Sequence, residues 1–370
     1  MQFAIFTEIP VPRPWGRDSE FVAYRNTLEM AVAADRAGFH SFWSTEHHFL
    51  EEMSHSTNPE VLYGAIAART ERIRIGYGVR LMPAPYNHPV RTAESVASLD
   101  LISDGRVEFG TGRSTTRAEL EGFGVDPRQT REMWQEAVEH VVGCWTNDEY
   151  AFAGRHWAMP RRRVIPKPRQ DPHPPIWGAT GSRETHELMG RLGLGLCSFA
   201  AGIDLDELAL RIRLYKDAVS RCAEPLGRVV NDRAATFAMT HCARTRREAH
   251  DAARRSFEWY PTVAFRNVAS VAELLQSDGE ALGDWNYLRY LPRMTAADDW
   301  HDRWHLEDML EAGVCIAGDP DDVIEQSRVF ERMGVDLLLC MVDPYAMDHA
   351  AVMESIELMG RYVLPAFAPR

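Results

Sequence analysis

The stretch Ser44-Thr45-Glu46-His47-His48-Phe49 sets a carboxylate beside two imidazoles. Three chemistries are open to such a cluster: a metal site, a proton-handling site, or polar loop filler. A metal needs three or four ligands, and neighbouring side chains of an extended segment point to opposite sides, so His47 and His48 cannot share one ion. No His-Glu-x-x-His run and no cysteine partner stands near, so no metal is expected. Proton handling needs one histidine turned into a site and a neighbour such as Glu46 to set its orientation or tautomer. The plain alternative turns His48 into the core and leaves His47 in solvent.

A second cluster is Thr180-Gly181-Ser182, with Thr185 one turn further on. A serine at a helix start, after a glycine that lets the backbone approach a ligand, presents free N–H groups. The Ser182 and Thr185 hydroxyls add donors, which makes an anion site. Arg113, in Gly110-Thr111-Gly112-Arg113-Ser114, offers a fork-shaped cation that suits a phosphate. An ordinary capping serine and a solvated arginine account for the same residues.

These residues follow short apolar runs. Eight such runs read as strands, at 2–7, 40–45, 72–82, 106–112, 175–180, 194–199, 234–243 and 335–342. A helical segment separates each from the next. Over 20–38 the apolar stripe is Phe21, Tyr24, Leu28 and Val32. Asn58-Pro59 opens a helix with Leu62, Ile66 and the Arg69 stem inward, and Asp126-Pro127 opens one with Trp134, Val138, Val141 and Trp145 on one face. Strand–helix alternation predicts a parallel sheet with helices outside. An open doubly wound sheet fits it too, but the count of eight favours a (β/α)8 TIM barrel. No linker divides the chain, so residues 1–370 read as one domain, with insertions near 146–174 and 260–312. The second insertion and its flank hold Trp259, Trp285, Tyr287, Tyr290 and Trp300, a lid over the site or packing on the barrel.

Composition narrows the class. Of 370 residues, 45% are apolar and 26% charged, with a net charge of −13 and no basic block, which argues against nucleic-acid and membrane partners. Cys144, Cys197, Cys222, Cys242, Cys315 and Cys340 are scattered without a framework, as in a reduced compartment. The N-terminal residues lack a basic region followed by a long apolar one, and the chain reads as cytoplasmic.

The runs HSFWSTEHHF, PYNHPVRTAESVASLDLISDGRVEFGTGRS and PPIWGATGSRET, in that order, resemble the bacterial luciferase-like family of flavin monooxygenases. The likeness covers most of 1–200 and 310–342. It implies a barrel that binds FMN with its phosphate near the fourth and fifth strands, at Arg113 and at Thr180, Gly181, Ser182 and Thr185. His47 matches the position that helps form or stabilise a flavin C4a-peroxide, a task suited to a histidine with a pKa near the working pH. Gly78-Val79 matches a non-prolyl cis peptide that backs the flavin ring. Where the light-emitting subunit of luciferase has a cysteine near the flavin, this chain has Gly112, which puts light emission in doubt. The resemblance implies a two-component monooxygenase. Reduced FMN, made by a separate NAD(P)H-flavin reductase, and O2 would hydroxylate a small organic substrate or insert oxygen in Baeyer–Villiger fashion. It also implies a homodimer. The alternatives are F420-dependent hydride transfer on the same barrel and a non-catalytic flavin-binding subunit.

Overall fold

Strand β1 (Gln2–Thr7) buries five consecutive side chains, Phe3 to Thr7, as a strand covered on both faces must. A computed structural model describes residues 1–198, 204–277 and 304–368. After β1 come α1 (Ser19–Ala37), β2 (Ser41–Ser44), α2 (Pro59–Ala67), β3 (Arg74–Tyr77), β4 (Arg80–Leu81), α3 (Pro89–Ile102), β5 (Val107–Gly112), α4 (Arg117–Phe123) and α5 (Thr130–Thr146). Then follow a hairpin, β6 (Tyr150–Ala153) and β7 (Ala158–Arg162), and β8 (Ile176–Thr180), α6 (Arg183–Arg191), β9 (Gly195–Ser198) and α7 (Leu205–Val219). Last are β10 (Ala234–Cys242), α8 (Arg246–Ser277), α9 (Leu306–Glu311), β11 (Cys315–Gly318), α10 (Pro320–Arg332), β12 (Leu337–Met341) and α11 (His349–Leu358).

The sheet closes. Parallel pairings run β1-β2-β3-β5-β8-β9-β10-β12 and return to β1, where Gln2 to Phe6 face Leu337 to Met341. The result is a (β/α)8 barrel, as the strand count predicts. One cluster of buried residues fills the space between barrel and helices; it includes Ile5, Phe42, Ile75, Phe109 and Leu338. A second occupies the interior, with Phe6, Trp43, Trp177, Met239 and Met341. Trp43 and Trp177 meet edge to face, with ring centroids 5.6 Å apart. Glu108 accepts from Trp177 Nε1 at 2.7 Å and pairs with Arg74, so the interior charge has partners. Gly76 is small because a Cβ there would meet the Trp43 ring at 2.1 Å.

Several elements differ from expectation. The stripe Phe21, Tyr24, Leu28, Val32 is not the inner face of α1; Thr27, Met30, Ala31 and Ala34 are buried instead, and Phe21 is exposed. Gly360 packs against Ala37, so the tight contact there selects small side chains, while Tyr24 and Leu28 pack half-buried beside it. Leu62 and Ile66 do face inward on α2, but Arg69 lies beyond its end and is exposed. Helix α5 begins at Thr130 rather than at the Asp126-Pro127 signal, because Asp126 accepts from the Arg128 N–H in a turn of its own. Its face of Trp134, Val138, Val141 and Trp145 is buried as expected. The insertion at 146–174 holds the β6–β7 hairpin, half exposed, and β11 adds a strand beside the far half of β10. The third strand is interrupted between β3 and β4 by a cis Gly78-Val79 peptide.

Helix α8 spans Arg246 to Ser277 and buries Ala253, Phe257, Tyr260 and Ala264 among the interior residues. At its far end Ser270 Oγ meets the Arg117 N–H at 3.4 Å. It therefore crosses the strand-end face from β10 to α4. Trp259, at the flank of the expected lid, stacks on Tyr345 at 3.6 Å, while Trp285, Tyr287, Tyr290 and Trp300 lie outside the described residues. No described helix is long and apolar enough to cross a membrane.

Candidate active site

His47 leaves the end of β2 with its backbone N–H donating to Ser56 O at 3.0 Å. Its Nδ1 lies 2.8 Å from Glu119 Oε1, and the His48 backbone N–H reaches the same oxygen at 3.0 Å. The other carboxylate oxygen accepts from Ser114 Oγ at 2.6 Å and from Thr116 Oγ1 at 2.7 Å. Glu119 is fully buried and its oxygens accept four hydrogen bonds, the condition under which a buried carboxylate stays ionised. Burial would lower the His47 pKa, but the Glu119 charge and hydrogen bond, with Glu8 and Glu46 behind them, lift it to about 9. Burial acts to raise Glu119, yet His47 and the two hydroxyls hold it below the usual carboxylate range. At neutral pH the pair is imidazolium and carboxylate, so His47 is a fixed cation rather than a group titrating near neutrality.

Glu46 does not orient His47. Its Oε2 accepts from the Leu81 N–H at 2.9 Å and its Oε1 from Asn87 Nδ2 at 2.8 Å, with His48 Nε2 3.5 Å away. That carboxylate ties the β2 end to β4, just past the cis Gly78-Val79 peptide. Arg80, buried beside it, pairs with Glu60. The orienting role falls to Glu119, carried by α4, a helix absent from the sequence reading. Its signal was present: Thr116 is the N-cap, accepting from the Glu119 N–H at 3.3 Å in a Thr-x-x-Glu pattern. His48 packs, edge-on to Phe123 at 4.8 Å and parallel to Tyr86.

On the neighbouring strands, β5 and β8 pair with Thr111 opposite Gly178. Arg113 is the first residue past the end of β5, and Thr180 is the last of β8. Arg113 Nη1 donates to Thr130 Oγ1 at 3.2 Å. Ser182 caps α6: its hydroxyl oxygen accepts from the Thr185 N–H at 3.2 Å, and Thr185 Oγ1 accepts from the Ser182 N–H at 3.2 Å. Thr180 Oγ1 contacts Thr185 Oγ1. Beneath the turn, His186 lies between Ser182 O at 2.6 Å and Ser198 Oγ at 2.8 Å, and burial pushes its pKa down to about 4. Arg211 Nη1 donates to Gly181 O at 2.5 Å and Nε to Glu207 at 2.6 Å. A neutral histidine and a paired arginine therefore hold the turn from below. Both were missed, since nothing in their local sequence marks them.

The residues fit a phosphorylated flavin. The helix start at 182 and the Arg113 guanidinium stand on adjacent strand ends, and glycines mark where backbone must lie bare. A Cβ at Gly112 would meet Val79 Cγ2 at 2.3 Å, and one at Gly110 would meet Tyr77 O at 1.9 Å. Val79 fills the space that any side chain at Gly112 would need. Among the described residues no three His, Cys, Asp or Glu side chains gather as a metal centre.

A family model described as luciferase-like monooxygenase matches residues 1–337. The oxygenase component of the flavin-dependent trigonelline monooxygenase of Acinetobacter baylyi is 24% identical over 100% of this chain and 96% of its own length. Among solved structures, the oxygenating constituent of 3,6-diketocamphane monooxygenase from Pseudomonas putida, in complex with FMN, superposes with a TM-score of 0.77 at 22% identity, covering 100% of this chain and 99% of that one. An F420-dependent secondary alcohol dehydrogenase shares the fold at a TM-score of 0.69 and 18% identity, over 100% and 99% of the two chains. With its match to the family over most of its length, the chain belongs to the luciferase-like monooxygenases.

Proposed function

We propose that this chain is the oxygenase of a two-component flavin monooxygenase, supplied with reduced FMN by a separate NAD(P)H-flavin reductase and acting on a small organic molecule by hydroxylation or Baeyer–Villiger insertion. The observation that carries the reading is the His47–Glu119 pair at the strand-end face. Reduced FMN bound there supplies the electrons that activate O2. Arg113, with the capped turn of Thr180, Gly181, Ser182 and Thr185, would hold its phosphate, and the Gly78-Val79 backbone would support its ring. His47 spends Nδ1 on Glu119, which leaves Nε2 to donate to negative charge developing on oxygen. Helix α8 closes the barrel mouth with Phe257 and Tyr260 and keeps water from the site. The Acinetobacter baylyi relative is an oxygenase component of a flavin-dependent monooxygenase, which supports a separate partner that delivers reduced flavin. The chain forms a homodimer, which sedimentation of the purified protein tests.

Anaerobic titration with reduced FMN, oxidised FMN and F420, followed by mixing with O2, decides the cofactor. Preferential binding of reduced FMN and product formation with a screened substrate supports the oxygenase. Preference for F420 moves the chain to hydride transfer, and activity only after a second, different chain is added makes it a supporting subunit. Arg113→Ala weakens reduced-FMN binding by about tenfold to a hundredfold, the loss expected for one charge-assisted contact; an unchanged binding curve removes Arg113 from the phosphate site.

A further inference from the structure

Glu8 is the first residue beyond β1, at the same strand-end face as His47, and its side chain is 4% exposed. Oε1 accepts from the Tyr260 hydroxyl on α8 at 3.1 Å. Oε2 is buried and has no hydrogen-bond partner among the described residues. A buried polar atom left unmatched costs about 1–3 kcal/mol, and a purely structural acid would have both oxygens satisfied. The backbone around it is also held in an uncommon form. Ile9, β-branched, sits at a φ of +56°, its N–H donating to Thr7 Oγ1 at 3.1 Å, while Ser54 Oγ donates to Glu8 O at 2.7 Å. Left-handed backbone at a β-branched residue persists only when the surroundings fix it, and such positions gather at functional sites.

We propose that Glu8 is the acid–base residue of this site, beside the His47–Glu119 pair, and that it hydrogen-bonds an oxygen of the bound substrate through Oε2 while Tyr260 fixes Oε1. The assignment rests on reading the strand-end face as the active site. The substrate it selects carries a carbonyl or hydroxyl oxygen at or next to the reacting carbon. In the step, the Glu8 O–H bond breaks and an O–H bond forms on the substrate oxygen, with no electrons exchanged. The carboxylate left behind keeps the Tyr260 hydrogen bond and gains the field of His47.

Three titratable groups act on Glu8: Tyr260 on α8 through its hydrogen bond, and His47 beyond β2 and Glu119 on α4 through their charges. Burial pushes the Glu8 pKa up; His47 and the Tyr260 hydroxyl pull it back, Glu119 pushes it further, and it settles at about 7. A carboxyl so placed holds a removable proton at neutral pH, the value best matched to general acid work there. His47, a fixed cation, cannot give up a proton as readily, so the two divide the tasks of charge stabilisation and proton transfer.

The test begins with the flavin-free protein. Infrared pH titration of wild type and Glu8→Gln is expected to show a protonated carboxyl band that disappears near pH 7 and is absent from the variant. Burial also pushes the Asp343 carboxyl up to about 6, so its band is first identified by its absence from Asp343→Asn; loss of the remaining band below pH 5, or its survival in Glu8→Gln, overturns the proposal. Tyr260→Phe removes a hydrogen bond that favours the carboxylate, so the same band then persists to higher pH. In Glu8→Gln the His47 imidazole, followed by NMR, titrates at lower pH because a negative neighbour is gone; an unmoved titration overturns the coupling. In the holoenzyme, Glu8→Gln keeps its affinity for reduced FMN, loses about a hundredfold in kcat and loses the ionisation near pH 7 from its rate profile. Turnover within about twofold of wild type overturns the catalytic role. Failure of FMN to bind would sink the oxygenase reading and leave the flavin-free titrations standing.

Discussion

Protonation of His47 at neutral pH depends on Glu119, and that dependence sets how the site responds to pH. A histidine whose pKa rises from 6.5 in the unfolded chain to about 9 in the fold stabilises the native state fully below pH 6.5 and loses that contribution as pH climbs through 9. The size is on the order of 3 kcal/mol. Urea denaturation at pH 6 and pH 9.5 checks it: the difference should shrink in His47→Gln. Glu119→Gln removes the main partner, and the imidazole then titrates well below the wild-type value by NMR; an unchanged titration would show that Glu119 does not hold the proton. How much of this was visible in the sequence varies by residue. His47 stood out because Glu46, His47 and His48 cluster at the end of a strand. Glu119 did not, because it acts on a residue 72 positions away through a fold that only the structure supplies. For Glu46, adjacency in sequence suggested an orienting or structural neighbour, and the strand geometry turns it towards Leu81 and Asn87.

At the scale of elements, glycines and caps set the site's shape. Gly112→Cys brings a Cβ to 2.3 Å from Val79 Cγ2, and overpacking of this kind costs about 1–3 kcal/mol. Val79→Ala in the same chain should recover most of it, measured by thermal unfolding of the two single variants and the double. Additive losses would mean that Val79 is not the obstacle. Thr185→Val breaks the half of the cap on α6 in which Thr185 Oγ1 accepts from the Ser182 N–H, and costs about 1 kcal/mol of stability, with weaker binding of reduced FMN alongside. A binding loss without destabilisation would assign Thr185 to the ligand alone. Strands were legible because a strand covered on both faces is an unbroken apolar run, as in Leu337 to Met341. Helix faces were less so. On α1 the eye follows large side chains, while close packing buries Ala31 and Ala34. Helix α4 is only seven residues long and gives too short a stretch for periodicity to show.

For the molecule as a whole, the closed ring of strands and its attachments should differ in stability. The β6–β7 hairpin is half exposed and lies outside the ring, so its amides from Tyr150 to Arg162 should exchange with solvent faster than those of β1 and β12 by hydrogen-exchange mass spectrometry. Equal protection would place the hairpin within the cooperative core. The seam of the ring joins residues 2–6 to 337–341. On a ribosome the first strand is made long before the strand that covers it. At ordinary synthesis rates the delay is roughly 20–70 s. Throughout it, the nascent sheet offers β1 as an open edge, the sort of surface that recruits strands from other chains. Yield in rapid overexpression therefore turns on how long that edge stays guarded by holding chaperones, more than on the strength of the finished barrel.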